Sequence, residues 1–320
     1  MLQLRARMTL SLTAGTLVAG CMSEVTNVDL VMQSQAASAA RYSDWSPPVN
    51  LGPIVNSTST EQNAQLSKDG LALYFSSDRP GGHGALDLYV ARRASEDSPW
   101  EAPINLGALL NSSANDFAPN LSLDGHLLFW ASGRPGTLGG ADLWMSRRDD
   151  PKDDLGWGEP VNLGAGVNTA MNEQAPNYHQ NAEEGGGNLY FNRGNAAANQ
   201  ADLYYVAVSR SGVAEGPAVL VTELTVLGFN DQAAVLRHDA KEVFFFSNRP
   251  GGLGGQDIYT SSRQNANDSW SSPVNVAALN TTANDVTPNL SFDGRTLLLG
   301  SNRPGSMGGN DIYMTFRTRP

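Results

Sequence analysis

The chain has 320 residues, 40% of them hydrophobic and 17% charged, a composition that supports a sizeable core and excludes a largely disordered protein. Its formal net charge of −11 argues against nucleic acid and anionic lipid surfaces as partners. A single cysteine excludes a disulfide framework.

In chain order, the first element is a targeting segment over residues 1–20. Arg5 and Arg7 form a positive n-region, Met8 to Ala19 an apolar run too short to span a bilayer, and Val18-Ala19-Gly20 a small-residue cleavage site. Val18-Ala19-Gly20-Cys21 resembles the lipobox of bacterial lipoproteins. The resemblance implies a lipidated Cys21, and Met22 in place of an aspartate implies sorting to the outer membrane of a Gram-negative cell. The alternative is a plain secretory signal near which Cys21 happens to fall. Loss of Arg5 and Arg7 takes the charge from −11 to −13 in the mature chain. Residues 21–41, with Gln33-Ser34-Gln35 and a run of Ala and Ser, show no period and read as a flexible tether. The expected product is a monomer in the cell envelope, attached to membrane through its lipid alone.

From residue 42 onward a unit of about 55 residues recurs. It begins as Leu66-Ser67-Lys68-Asp69-Gly70, Leu73-Tyr74-Phe75-Ser76-Ser77, Arg79-Pro80-Gly81-Gly82 and Asp87-Leu88-Tyr89. It returns around Asp142, Asp257 and Asp311, and in a worn form with inserted Glu183-Glu184-Gly185-Gly186-Gly187 around Asp202. Each copy predicts four strands: Glu61 to Ser67, a hairpin at Asp69-Gly70, Ala72 to Ser76, Asp87 to Ala91, and a fourth after Trp100 at Pro103-Ile104-Asn105-Leu106.

Four strands per repeat make the blade of a β-propeller. The last copy stops after its third strand at Phe316-Arg317, while a spare fourth strand, Trp45 to Leu51, precedes the first copy. The predicted fold is therefore an all-β, five-bladed propeller of four-stranded antiparallel blades over residues 42–320, with residues 45–51 completing the last blade. The strings L-S-x-D-G, L-Y-F-S-S and R-P-G-G-x-G-G-x-D-I-Y resemble the TolB-like, WD-repeat-like propeller repeats of bacterial envelope proteins across residues 45–317. That resemblance implies docking of envelope proteins, outer-membrane proteins with an added peptidoglycan-binding domain, or, in some members, enzymes.

Candidate site residues follow the repeat. Glu61, Asp116, Glu173, Asp231 and Asp285 open the first strands and are expected at one mouth of the central channel, where unpaired carboxylates would bind glycan hydroxyls or a cation. Calcium would suit such an oxygen ring, although no calcium loop and no cofactor motif is present. Arg79, Arg134, Arg193, Arg249 and Arg303, with Asp87, Asp142, Asp202, Asp257 and Asp311, fall on the same face. They are read as a structural clamp in every blade, each arginine pairing with the carboxylates of its own hairpins, because a role needed five times is a fold role. No residue is assigned as catalytic, since glycoside hydrolysis needs two carboxylates in different environments and the blades are nearly equal. The third blade departs most, with Tyr178, His179, Glu183 and Glu184. His83, His126 and His238 share no ligand spacing, and the glycine-rich loops join strands and open no helix. The tryptophans at 45, 100, 157 and 270 are expected to pack between blades. The functional expectation is an envelope binding or scaffolding module for a protein or a cell-wall or extracellular polysaccharide; the alternative is a glycan-active enzyme with its site at the acidic mouth.

Overall fold

The computed structural model describes residues 42–180, 186–195 and 200–319; Cys21, the targeting segment, the tether, and Glu183 and Glu184 lie outside the described residues. Among the described residues twenty strands form five four-stranded antiparallel sheets. Blade 1 contains β2 (Glu61–Leu66), β3 (Ala72–Ser77), β4 (Asp87–Arg92) and β5 (Ile104–Asn105). Blade 2 contains β6 (Asp116–Leu121), β7 (Leu127–Ser132), β8 (Asp142–Arg147) and β9 (Val161–Asn162). Blade 3 is longer, with β10 (Asn172–Gln180), β11 (Gly187–Asn195), β12 (Gln200–Val208) and β13 (Val219–Leu220). Blade 4 holds β14 (Asp231–Leu236), β15 (Glu242–Ser247), β16 (Asp257–Ser262) and β17 (Val274–Asn275). Blade 5 holds β18 (Asp285–Leu290), β19 (Thr296–Ser301) and β20 (Asp311–Phe316), and its fourth strand is β1 (Val49–Asn50), paired antiparallel to β20 with Val49 opposite Met314. The propeller and its N-terminal closure are thus as the sequence predicts.

Three inner hairpins turn at the predicted Asp-Gly, at Gly70, Gly125 and Gly294. The Asp69 carboxylate accepts from the Ser67 hydroxyl at 2.6 Å and the Leu71 amide at 3.1 Å, and Gly70 takes φ +71° at no steric cost. In blade 4 the same left-handed position is occupied by Ala240, at φ +56°, a conformation costing an L-residue roughly 1 kcal/mol.

The innermost strands carry a second repeated device. Each has a β-bulge, for example between Gln62 and Gln65, where two residues oppose one on the neighbouring strand. Asn63, Ala118, Ala175, Ala233 and Thr287 sit at these bulges with φ of 49° to 56°. They and the prolines that follow three of the five pinch the channel to a waist of about 30 Å³.

The core lies between blades. Tyr74, Leu88 and Val90 of blade 1 pack with Leu128, Trp130 and Trp144 of blade 2, and equivalent clusters fill the other seams. The four recurrent tryptophans each lie beneath an arginine: Arg93 on Trp100, Arg148 on Trp157, Arg263 on Trp270 and Arg317 on Trp45, at 4.0 to 4.5 Å.

A carboxylate latches the seam between blades 1 and 2. Asp154 accepts two bonds from Arg92 at 2.6 Å each, one from the Tyr74 hydroxyl at 2.8 Å and one from Arg148 at 3.3 Å. Burial pushes its proton affinity up, but the Arg92, Tyr74 and Arg148 contacts outweigh burial and hold the carboxyl below its usual range. A depressed folded-state value contributes stability that is present above the unfolded value near 3.8 and lost as pH falls through the folded one. Asp154→Asn is therefore expected to cost about 2–3 kcal/mol at pH 7, discounted for its partial exposure. The variant and the parent should converge in melting temperature as the pH is lowered below that range; a pH-independent gap would contradict the latch.

Candidate functional site

The five carboxylates at the starts of the inner strands are withdrawn from the channel. Glu61, Asp116, Glu173, Asp231 and Asp285 are each 0% exposed. Each meets the arginine of its own blade: Arg79 at 3.1 Å, Arg134 at 2.8 Å, Arg193 at 2.8 Å, Arg249 at 2.5 Å and Arg303 at 2.5 Å. The remaining carboxylate oxygen accepts from the connecting loop, as Asp285 does from the Thr281 amide and hydroxyl at 2.5 and 2.9 Å. Each guanidinium also donates to a loop carbonyl, such as Val55 at 2.5 Å, and lies over the blade's aromatics, such as Phe75 and Tyr89 at 5.2 and 5.1 Å. Ligand-directed lone pairs are therefore already used within each blade.

The third-strand aspartates do not share that arginine. Asp87 accepts from the loop amides of His83 and Gly84 at 2.5 and 3.0 Å and from the Asn105 side chain at 2.9 Å, and Asp142, Asp257 and Asp311 repeat the pattern. Asp202 departs from it. Leu220 stands opposite Tyr204 where the other blades place asparagine, the carboxylate is partly exposed, and burial and the charge of Asp231 hold it above its usual range.

The residue after each buried acid faces the axis instead. Gln62, Phe117, Gln174, Gln232 and Val286 ring the mouth, and with Phe246, Gln256, Asn284 and Asn310 they enclose a cup of about 270 Å³ above the waist. Asn310 donates to Gln62 at 3.1 Å and Gln232 donates to Asn230 at 2.5 Å. These bonds orient two of the amides and leave further donors and acceptors directed into the cup. No carboxylate is among the described residues that line it. Among the described residues no group of three or more His, Cys, Asp or Glu is arranged to hold a metal, and the five acids, each committed to an arginine, do not form the oxygen ring calcium would need.

At the opposite end Lys68, Leu123, Gln180, His238 and Phe292 occupy the channel opening. Lys68 lies over the Phe292 ring at 4.7 Å and His238 against the same ring at 4.4 Å. Burial lowers His179 below the usual imidazole value despite its contact with the His238 carbonyl at 3.1 Å, so it is neutral at pH 7. The Tyr178 hydroxyl is buried without a partner and pushed up to about 12, by burial first and then by the charges of Asp124 and Glu215. His83 and His126 stand apart, the latter bonded to the Arg148 carbonyl at 2.9 Å.

The cup residues were not among those singled out from sequence. The signal available was their failure to repeat: three glutamines, a phenylalanine and a valine follow five acids that do.

No family model matches the chain, and no curated protein does. Solved structures do. An α-L-arabinofuranosidase from Lactobacillus brevis is similar at 13% identity over 83% of this chain and 92% of its own, with a TM-score of 0.55. An endo-arabinase from Bacteroides thetaiotaomicron is similar at 16% identity over 85% and 97%, with a TM-score of 0.53. The native arabinanase of Bacillus subtilis is similar at 11% identity over 83% and 96%, with a TM-score of 0.55. These findings correct two expectations: the fold's likeness is to an arabinofuranosidase and two arabinanases in place of the TolB-like, WD-repeat-like repeats, and none of these three is the envelope scaffold that those repeats implied. At these identities the likeness is one of fold.

Proposed function

We propose that the protein is glycan-active and takes a saccharide unit of an arabinose-containing polysaccharide in the cup above the channel waist. The observation that carries this is the cup itself: about 270 Å³ lined by Gln62, Gln174, Gln232, Gln256 and Asn284, with Phe117 and Phe246 beside them. Sugar hydroxyls both donate and accept, and a primary amide is the neutral side chain that offers both functions at once. Phenylalanine rings supply apolar surface for the C–H faces of the sugar. The similarity of fold to an arabinofuranosidase and two arabinanases supports the same ligand class. Export and lipid attachment, expected from residues 1–21, suit a polymer met outside the cytoplasm. The carboxylate pair of glycoside hydrolysis is not among the described residues of the cup, so the cup's part is to hold and orient the sugar.

The test is affinity electrophoresis through gels containing arabinan, arabinoxylan or an unrelated glucan, with release of reducing ends followed in parallel. Retardation by an arabinose polymer is expected. Each glutamine replaced by alanine removes a hydrogen bond worth about 1 kcal/mol, roughly a fivefold loss, so combined replacement of Gln62, Gln174 and Gln232 should weaken binding about 100-fold. Equal retardation of the triple variant would refute the cup assignment, and a reducing-end signal that survives it would move the reaction elsewhere.

A further inference from the structure

Among the described residues two seams of the ring are closed by a carboxylate on an arginine, and two others have the arginine without a carboxylate. Between blades 1 and 2 the acid is Asp154, bound by Arg92, Arg148 and the Tyr74 hydroxyl. Between blades 4 and 5 it is Glu242, bound by Arg317 at 2.7 and 2.8 Å. Arg148 and Arg317 are placed alike: each Nε donates to a hairpin glycine carbonyl at 2.8 Å, and each guanidinium lies on a tryptophan. At the seam between blades 5 and 1, Arg93 bonds the carbonyls of Gly70 and Glu96 instead.

Blade 4 repeats the arrangement of blade 2. The Arg263 Nε donates to the Ala240 carbonyl at 2.7 Å, and its guanidinium lies on Trp270 at 4.0 Å. Its Nη1 donates to the Asp268 carbonyl at 3.3 Å, as the Arg148 Nη1 does to that of Asp153 at 3.0 Å. The residue after that carbonyl is Asp154 in blade 2 and Ser269 in blade 4. Across the seam Tyr190 holds the place of Tyr74, opposite Tyr205 on β12 as Tyr74 is opposite Val90, and its hydroxyl sits beside Arg263. Arg263 makes no ion pair with a carboxylate among the described residues, and a cavity of about 360 Å³ opens there, lined by Tyr190, Tyr205, Glu223, Arg263, Ser269 and Trp270. Through Asn188, Tyr190 and Arg263 it continues into a groove of about 740 Å³.

We propose that this seam is a second carbohydrate site, one that seats the carboxylate of a uronate residue from an acidic polysaccharide on Arg263; it rests on the reading of the protein as glycan-directed. Asp154 shows what the arrangement binds: a carboxylate that accepts from the Arg148 Nη1 at 3.3 Å and from a tyrosine hydroxyl at 2.8 Å, beside the fork of Arg92. The cavity falls within the roughly 300–1,000 Å³ of small-molecule sites. Tyr205, packed against Tyr190 at 5.6 Å, offers a ring face to the sugar. Glu223 and Asp268 also face the cavity, and Glu215, Asp239 and Arg210 the groove. These four carboxylates disfavour a compact polyanion such as phosphate, and they accept hydrogen bonds from hydroxyls that a uronate has and an acidic peptide lacks.

Calorimetric titration of the full chain with trigalacturonate, its methyl ester, arabinotriose and a short polyglutamate tests this. Trigalacturonate should bind, its methyl ester at least tenfold more weakly. Arg263→Gln should reduce trigalacturonate affinity at least tenfold, and Ser269→Asp, which restores an internal carboxylate, should do the same while raising the melting temperature. Arabinotriose, the probe of the cup, should bind all three proteins alike. No binding of trigalacturonate, equal binding of its methyl ester, unchanged affinity in Arg263→Gln, or polyglutamate bound as tightly would each overturn the seam site. Loss of arabinotriose binding alone would overturn the cup and leave the seam standing.

Discussion

Deleting residues 42–51 is expected to abolish cooperative folding of the ring. These residues supply the outer strand of blade 5, pairing β1 to β20 and adding bonds from the Ser43 amide to Thr318, the Ser46 amide to Phe316 and the Leu51 amide to Ile312 at 2.8 to 3.1 Å. Trp45 packs edge-on against Phe244 of blade 4 at 5.8 Å and under Arg317 at 4.4 Å. Four or so hydrogen bonds at about 1 kcal/mol each, with burial of the indole at roughly 2 kcal/mol, sum to about 6 kcal/mol, a large share of the 5–15 kcal/mol that stabilises typical domains. The deletion also exposes the length of β20 as an unpaired edge. Soluble yield and the calorimetric transition report the result. A permutant that carries residues 42–51 after Arg319, with a connector as long as residues 93–103, should restore the transition, because the outer strand would then follow its blade as in the other four. A deletion mutant melting within a few degrees of the parent would mean the ring does not depend on its closure.

The second large effect is expected at the clamps. Asp116 is 0% exposed, accepts from Arg134 at 2.8 Å and from the Ser112 amide and hydroxyl at 2.5 and 2.7 Å, and has the Trp130 indole at 3.3 Å. Asp116→Asn leaves the Arg134 guanidinium, whose side chain is 10% exposed, without its counter-charge and turns an amide N–H toward existing donors. Removal of one partner of a buried pair costs about 3–5 kcal/mol, or roughly 10 °C in melting temperature for a chain of this size. Arg134→Met should cost a similar amount, and the double variant less than the sum of the two, since a buried pair replaced by apolar groups is often near neutral. Strict additivity would show that the two side chains act independently and that the clamp is not a unit.

Much of this architecture was legible in the sequence because the fold writes the same residues into most of the blades. The Asp-Gly hairpins, the Arg-Pro-Gly loops and the aspartates at 87, 142, 257 and 311 each answer a backbone demand repeated around the ring. The closing strand was legible from phase alone, since Trp45 to Leu51 has no preceding blade. The direction of the acid side chains was not. Proximity to the axis suggested that Glu61 and its counterparts face the channel, yet the period of two makes neighbours face opposite ways, and Gln62 took that place. The bulges were equally hidden, because their left-handed positions are filled by Asn63, three alanines and Thr287 with no glycine to mark them. The open seam escaped notice for a third reason: the loop from Arg263 to Trp270 is two residues shorter than that from Arg148 to Trp157, which obscures the replacement of Asp154 by Ser269.

The most direct measurement is a crystal of residues 42–320 soaked with an arabino-oligosaccharide. The account predicts sugar density in the cup, its hydroxyls within hydrogen-bond distance of Gln62, Gln174 or Gln232 and a C–H face against Phe117 or Phe246, with the five acid–arginine pairs unmoved. An empty cup with sugar bound elsewhere, or an acid such as Glu173 swung from its arginine to meet the ligand, would contradict it.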